Sequence, residues 1–408
     1  MSLKTIVYIG DFDLRNQNVQ AHLVRNNGKM LARLGYKVFY IGTNRECTTF
    51  EEVKKLPQVE EYRERYLELP NTLTAGGLFQ SRRIEKTIIG YLDYLHKDHE
   101  IYHVITYQAP TYAHSLKIIS QWCKRNKALY IVNCADLPVF DSQVLIRRIV
   151  MNMNWKQMHN INKRMADGII SVSRYIDNFY KKEGRPSVII PPLFDELSLE
   201  AKYSTNERAT FIYAGTPFVI NGTATNTKGM KDRLDYIVDI MLKLEGENIP
   251  FQLDIVGITL EDYCTCIPRH DKSVRASKNI VFHGRQSHRS TLQKLVAADY
   301  MINYRDYNLM TEAGMSTKVV ESVSVGTPVV MNDIGDTFMY LEEGVSGIRL
   351  TEDFNDNVRT VRALCMKSAE DRKCAKEKTR GKEVFSIERY AQSMNIFLEK
   401  VSSVRQKN

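Results

Sequence analysis

Thr5-Ile-Val-Tyr-Ile9, Gly10, a polar loop from Asp11 to Asn18, a helical pattern from Val19 to Leu34, then Val38-Phe-Tyr-Ile41: this opening stretch decides the fold. The first run is short, apolar and rich in β-branched residues, and Gly10 closes it, which reads as a strand. Between 19 and 34, Leu23, Met30, Leu31 and Leu34 fall on one side at helical spacing, and Gly35 fits the C-cap position. Val38–Ile41 is the next strand. Strand, helix and strand in that order form a βαβ unit, and such units build parallel sheets.

The alternation runs on. Ile101 to Tyr107 and Leu129 to Val132 read as strands around a helix near 111–125, and Gly168-Ile-Ile-Ser-Val172 as another strand. Ser187-Val-Ile-Ile190 runs into Pro191-Pro192, and the polar stretch from Leu193 to Arg208 has no period, so a linker is expected there. The pattern then restarts. Thr210–Ala214, Phe251–Val256, Ile280–Phe282, Tyr300–Tyr304 and Thr327–Met331 read as strands, with helices near Asp232–Leu244, Leu292–Ala298 and Thr317–Val325.

A chain of 408 residues exceeds one usual core. The expected architecture is α/β: two facing Rossmann-like domains, residues 1–192 and 207–385, with a cleft between them. An amphipathic helix at 386–408 is expected to pack back on the first domain. Ligands of such sheets bind beyond the carboxyl ends of the strands, so the loops there carry the functional reading.

Composition narrows the class. The chain is 43% hydrophobic and 26% charged, as in globular proteins, and no apolar run is long enough to span a bilayer. Seven cysteines, an odd number scattered widely, point to reduced thiols in the cytoplasm. Cys264-Thr-Cys266 with His270 is the one tight group, and a surface loop is the plainer reading than a metal site. The net charge of +9 suits phosphorylated substrates or an anionic surface. Nucleic acid is not expected as a partner, because no RNP-type motif, zinc finger or basic repeat is present. Ser142 to Ala166 contains no acidic residue and mixes Arg147, Arg148, Lys156, Lys163 and Arg164 with apolar side chains. It fits peripheral contact with anionic lipid, or equally a core-facing helix with a solvated basic side.

Two stretches bear on chemistry. In Ala313-Gly-Met-Ser-Thr-Lys-Val-Val-Glu-Ser-Val-Ser-Val-Gly-Thr-Pro-Val-Val330, small residues lead into a helix. Free N–H groups of Met315, Ser316 and Thr317 at its start suit a diphosphate, with Lys318 as an added point charge. Glu321, one turn on, is placed to accept hydrogen bonds from a ribose, or is simply solvated. The second stretch, Gly215 to Lys231, opens with Gly215-Thr216 and offers Lys228 and Lys231 to a phosphate, although it is not a Walker A loop.

The sequence resembles glycosyltransferase family 4, the retaining enzymes of the two-domain GT-B fold. The family's donor-binding segment has the form E-x7-E followed by A-x-A-x-G-x-P-V-V, and Glu321 through Val330 matches its second half. Phe211-Ile-Tyr-Ala-Gly-Thr216 with Lys231-Asp232, Val281-Phe-His-Gly284-Arg285, Ala298-Asp299-Tyr300 and Ala166-Asp-Gly-Ile-Ile-Ser-Val-Ser173 resemble further family segments. The resemblance implies that Glu321 holds ribose, that Gly314 to Thr317 meets diphosphate or sugar, and that Gly284-Arg285 contacts the base through backbone. It implies that Lys231 binds phosphate and that Gly326-Thr-Pro328 is a structural turn.

There are departures. Ala313 stands where the family has its first glutamate, as in members with a small-residue-Lys variant, which Lys318 fits. The usual arginine after the glycine turn is absent, leaving Lys228, Arg305 or Lys318 to supply charge. The first-domain histidine has no counterpart, and Asn133-Cys-Ala-Asp136 occupies its loop, with Asp136 a candidate for its role.

The reading is therefore a nucleotide-sugar glycosyltransferase acting with retention, on a UDP- or GDP-sugar donor and without a further cofactor. Catalytic candidates are Lys231, Lys318 and Asp136, with Arg305 a further cation for the leaving diphosphate. Asp11-Phe-Asp13 matches the D-x-D of metal-dependent transferases, but lysines can do the metal's electrostatic work. No metal is expected, and Asp11, Asp13 and Asn16 are placed along an acceptor cleft. The expected acceptor is a glycan or lipid-linked sugar in cell-surface polysaccharide assembly, with the protein in the cytoplasm, either free or peripheral at the inner face of the membrane. A nucleotide-sugar 2-epimerase of the same fold and a non-catalytic partner subunit remain as alternatives.

Overall fold

The structure is a computed structural model that describes residues 4–406 apart from 17, 45, 72–76, 138–144, 196–198, 204–206, 219, 222–223 and 226–231. The chain forms two compact units: residues 1–193 with 387–408, and residues 194–386.

Unit 1 holds seven strands: β1 Thr5–Gly10, β2 Lys37–Asn44, β3 Tyr66–Pro70, β4 Ile101–Tyr107, β5 Leu129–Cys134, β6 Gly168–Ser171 and β7 Ser187–Ile189. All pair in parallel in the order β3-β2-β1-β4-β5-β6-β7. β1, β5 and β6 are buried at every residue, which explains their unbroken apolar runs. The first crossover helix, Val19–Arg33, starts on an Asn18 side-chain cap. It ends in a Schellman turn: the N–H of Gly35 donates to Ala32 and that of Tyr36 to Leu31, with Gly35 at φ +86°.

The helix Ile387–Gln406 belongs to unit 1. A Cβ on Gly168 would lie 2.6 Å from Val401 and 2.8 Å from Phe397, so that helix seats directly on β6. Tyr66–Pro70 and the helix Gly77–Asp98 add a strand and a crossover that the sequence pattern did not isolate.

Unit 2 holds β8 Ala209–Ala214, a short antiparallel hairpin of β9 Ile220–Asn221 and β10 Ala224–Thr225, then β11 Phe251–Val256, β12 Ile280–Phe282, β13 Tyr300–Ile302, β14 Val329–Asn332 and β15 Gly347–Leu350. The main sheet is parallel in the order β12-β11-β8-β13-β14-β15. Counted within the unit, that is the doubly wound order 3-2-1-4-5-6. One side of the sheet packs Phe211, Tyr213, Leu253 and Ile255 against the helix Leu234–Gly246, and the other packs Ile212, Met301 and Val329 against the helix Thr317–Ser324. In both sheets the order reverses next to the first strand, between β1 and β4 and between β8 and β13.

Cys264 and Cys266 lie on a helix, Leu260–Cys266, rather than in the surface loop read from the sequence, because Thr259 caps its N-terminus. His270 is buried and bonded to Tyr263 Oη and Asp239 Oδ1, each at 2.7 Å.

Candidate functional site

The reversal point of the second sheet brings three glycine turns together. The Gly215 N–H donates to Val256 O and the Gly257 N–H to Gly284 O, both at 2.8 Å. A Cβ on Gly257 would sit 2.2 Å from Gly215 O, so the turns after β8 and β11 stack backbone on backbone. Thr216 Oγ1 donates to Gly257 O at 3.3 Å, and Arg285 is exposed.

Gly215 has a second reason to lack a side chain. A Cβ there would lie 2.2 Å from Lys318 Cε and 2.8 Å from its Nζ. The Lys318 side chain therefore crosses Gly215, and it ends on Asp232, with Nζ 2.7 Å from Oδ2. Asp232 is 2% exposed and accepts from three further donors: Arg305 Nε at 3.0 Å, Tyr213 Oη at 2.9 Å and Asn303 Nδ2 at 3.2 Å. Burial alone would raise the Asp232 carboxyl, but the Lys318 and Arg305 charges and their hydrogen bonds hold it well below the usual carboxylate range. Tyr213 is pushed far up, by burial first and by the Asp232 carboxylate next.

Arg305 is fixed from both sides. Its N–H donates to Asn332 Oδ1 at 2.9 Å, its carbonyl accepts from Asn332 Nδ2 at 2.8 Å, and its backbone pairs with Asp232 in an isolated antiparallel bridge. The helix Leu309–Ala313 ends at Gly314, and the helix Thr317–Ser324 begins after Ser316, which supplies no side-chain cap. The Val319 and Val320 N–H groups donate to Ser316 O at 3.1 and 3.2 Å, and the two N–H groups ahead of them, of Thr317 and Lys318, head the helix start. Ala313 is fully buried, so the position of the family's first glutamate belongs here to the core. A cation in a first helical turn opposes the helix dipole, and the ion pair with Asp232 offsets that cost. Glu321 Oε1 meets His288 Nε2 at 3.1 Å. Gly326 repeats the Schellman ending, at φ +89°.

Asp232 is the residue that sequence reasoning missed. It stood in the Lys231-Asp232 pair, where the lysine drew the attention, and no periodicity marks an aspartate that a strap of backbone will bury. Lys228 and Lys231 lie outside the described residues.

In unit 1, Asp13 is 4% exposed and spent on local bonds: from Arg15 N at 2.9 Å, Asn16 Nδ2 at 2.9 Å and Tyr66 Oη at 3.3 Å. Asp13 and Asn16 thus build the turn after β1. Asp11, whose N–H donates to Tyr107 O at 3.2 Å, and Asp136, just beyond β5, both lie near Tyr107. Burial, then the Asp136 carboxylate, pushes the Tyr107 hydroxyl well up. Among the described residues, no three His, Cys, Asp or Glu side chains are grouped to hold a metal ion, and no helix is long and apolar enough to cross a membrane.

Residues 218–366, within unit 2, match the family described as glycosyl transferases group 1. That segment of the chain is similar to group 1 glycosyltransferases. The matched span contains Asp232, Arg305 and the 314–321 segment, while Gly215 and Thr216 lie just ahead of it.

Solved structures share this chain's fold at low identity. Sucrose-phosphate synthase from Thermosynechococcus elongatus is 15% identical over 98% of this chain and 99% of its own, with a TM-score of 0.64. HepE from Anabaena, solved in complex with UDP and glucose, is 13% identical over 98% and 100%, with a TM-score of 0.64. UDP-GlcNAc 2-epimerase from Methanocaldococcus jannaschii is 12% identical over 90% and 93%, with a TM-score of 0.52. No curated protein matches the chain by sequence. The chain shares the GT-B fold of these proteins, with two parallel sheets of seven and six strands among the described residues.

Proposed function

We propose that the enzyme moves a hexose from a UDP- or GDP-sugar to a hydroxyl of a glycan or lipid-linked acceptor, with retention at the anomeric carbon. The carrying observation is that Lys318 and Arg305 converge at the reversal point of the second sheet, beside an uncapped helix start. Departure of a nucleoside diphosphate develops negative charge, and these cations with the N–H groups of 315–317 are arranged to stabilise it. Lys231 is assigned to the same diphosphate, Glu321 to the ribose, and the Gly284-Arg285 backbone to the base. UDP is the favoured nucleotide because HepE was solved with it. Asp11 and Asp136 are assigned to the acceptor side, Asp136 in place of the family histidine. Retention follows the family resemblance.

A thermal-shift screen with UDP, GDP and ADP, with and without chelator, tests the donor reading. A chelator-insensitive shift with UDP or GDP is expected, and Lys231→Ala and Lys318→Ala are each expected to weaken it. Unchanged donor binding and turnover in both variants would sink the assignment. Sugar transfer to an acceptor panel, rather than epimerisation of free donor, separates this reading from that of the 2-epimerase.

We further assign the enzyme to the inner face of the membrane. On the helix Leu145–Met165, Ile149, Val150 and Met153 are exposed beside Arg148 and Lys156. Co-sedimentation with phosphatidylglycerol vesicles is expected to exceed that with phosphatidylcholine and to fall in Met153→Glu; equal sedimentation rejects the contact.

A further inference from the structure

We propose that Asp232 is a positioning residue for the donor diphosphate: it draws Lys318 across Gly215 and fixes Lys318 and Arg305 in the arrangement that receives phosphate. The inference rests on the donor-site reading above and adds to it a residue with no direct part in binding.

Four observations carry it. Asp232 is buried, yet it has four donors, two of them cationic, so its carboxylate is the hub of the cluster. Lys318 uses one ammonium hydrogen on Asp232, which leaves two for a ligand. Its side chain is 22% exposed, against 9% for Arg305, so the lysine is the cation with more access to solvent. Finally, Gly215 supplies the space through which Lys318 reaches the hub. Without the carboxylate, two like charges would face each other at this strand end and the lysine stem would regain its rotamers. Two cations with one anion leave a net charge of one, held in place before the ligand arrives. That preorganisation is what the hub supplies.

The sign of the effect makes this testable. Asp232→Asn removes a negative charge from a site that binds an anion, so Coulomb's law alone predicts tighter binding. The positioning role predicts the opposite. Calorimetric titration of the full chain with UDP and GDP is expected to show roughly tenfold weaker binding in Asp232→Asn, a loss typical of one charge-assisted hydrogen bond. In a Lys318→Met background the same change is expected to cost clearly less, about threefold or under, because only its route through Arg305 remains. Gly215→Ala, which leaves Asp232 intact but intrudes on Lys318, is expected to weaken binding similarly, and again not additively with Lys318→Met.

Tighter binding in Asp232→Asn, or additive losses in either double variant, overturns the proposal. Should Asp232→Asn fail to fold, the Gly215→Ala cycle decides alone. If the unaltered enzyme binds neither nucleotide, the donor-site reading itself fails; if it binds and the cycles are additive, only the role of Asp232 does.

Discussion

The two sheets share one topology and differ in what stands at their reversal points. At the end of β1 and β4, Gly10 packs its backbone against Tyr107, a Cβ there falling 2.0 Å from Tyr107 O. Among the described residues there, Tyr8 accepts from Asn133 Nδ2 at 2.6 Å, Asp11 and Asp136 lie around Tyr107, and Arg15 in the same turn is paired with Glu68. At the end of β8 and β13, two cations surround one buried carboxylate. A doubly wound sheet offers a crevice in either case, and the charge placed there decides what can enter. The cationic end suits a diphosphate; the acidic end suits hydroxyls and would repel one.

The largest expected effect tests whether the cationic end is also a structural keystone. Arg305→Met leaves Asp232 buried with one cation fewer, and should destabilise unit 2 by about 3–5 kcal/mol. Both tryptophans, Trp122 and Trp155, lie in unit 1, so their emission follows that unit alone. The urea transition seen by far-ultraviolet circular dichroism should therefore shift while the tryptophan transition holds. A common shift of both breaks the comparison.

Next comes acid. His103 is buried in β4 and its ring nitrogens have no hydrogen-bond partner among the described residues, and burial, with Lys4 nearby, lowers it to about 4 from an ordinary 6.5. A lowered histidine means that the folded state resists protonation. Stability is intact above pH 6.5 and falls as pH drops toward 4, by roughly 3 kcal/mol if the unfolded chain titrates normally. Asp232, held far below the carboxylate range, keeps its charge over that window. Tryptophan emission should report unit 1 weakening first, and His103→Leu should flatten the slope. A pH-independent midpoint between 6.5 and 4 would count against it.

Smaller again is the ribose contact. Glu321→Ala is expected to weaken UDP or GDP by about thirtyfold, near 2 kcal/mol, with inorganic pyrophosphate little changed. Equal loss for both ligands would move Glu321 from ribose to phosphate. The smallest effect falls on Asp13. Asp13→Ala should cost about 1 kcal/mol, a few degrees of melting temperature, with nucleotide binding untouched.

Much of this was legible. The βαβ rhythm, the Gly35 and Gly326 helix endings and the Glu321–Val330 segment rest on local chemistry that a sequence displays directly. Tyr66–Pro70 and the pair of helices Phe354–Cys365 and Ala369–Arg380 were not isolated. Their patterns are diluted by charge; in the last, Arg372 and Lys376 are buried, against Asp299 and the carbonyls of Val296 and Ala298. The role of Asp232 was hidden for another reason. Its partners Tyr213, Asn303 with Arg305, and Lys318 come from three places in the chain, and only folding assembles them. Likewise Asp13 reads as half of a metal motif until its bonds to Arg15, Asn16 and Tyr66 are seen.

The path of the backbone has a last consequence, for how the protein is made. Phe194 donates to Phe385 O at 3.0 Å, so unit 2 begins and ends at one point, and its chain is uninterrupted. Unit 1 is interrupted, and its helix Ile387–Gln406 follows unit 2 in the chain, so a ribosome delivers it after unit 2. During synthesis, unit 2 has its whole sequence while β6 still lacks the helix that covers Gly168. A gene fragment for 194–386 should thus yield a foldable product, whereas one for 1–193 would leave an apolar sheet face for chaperones to guard.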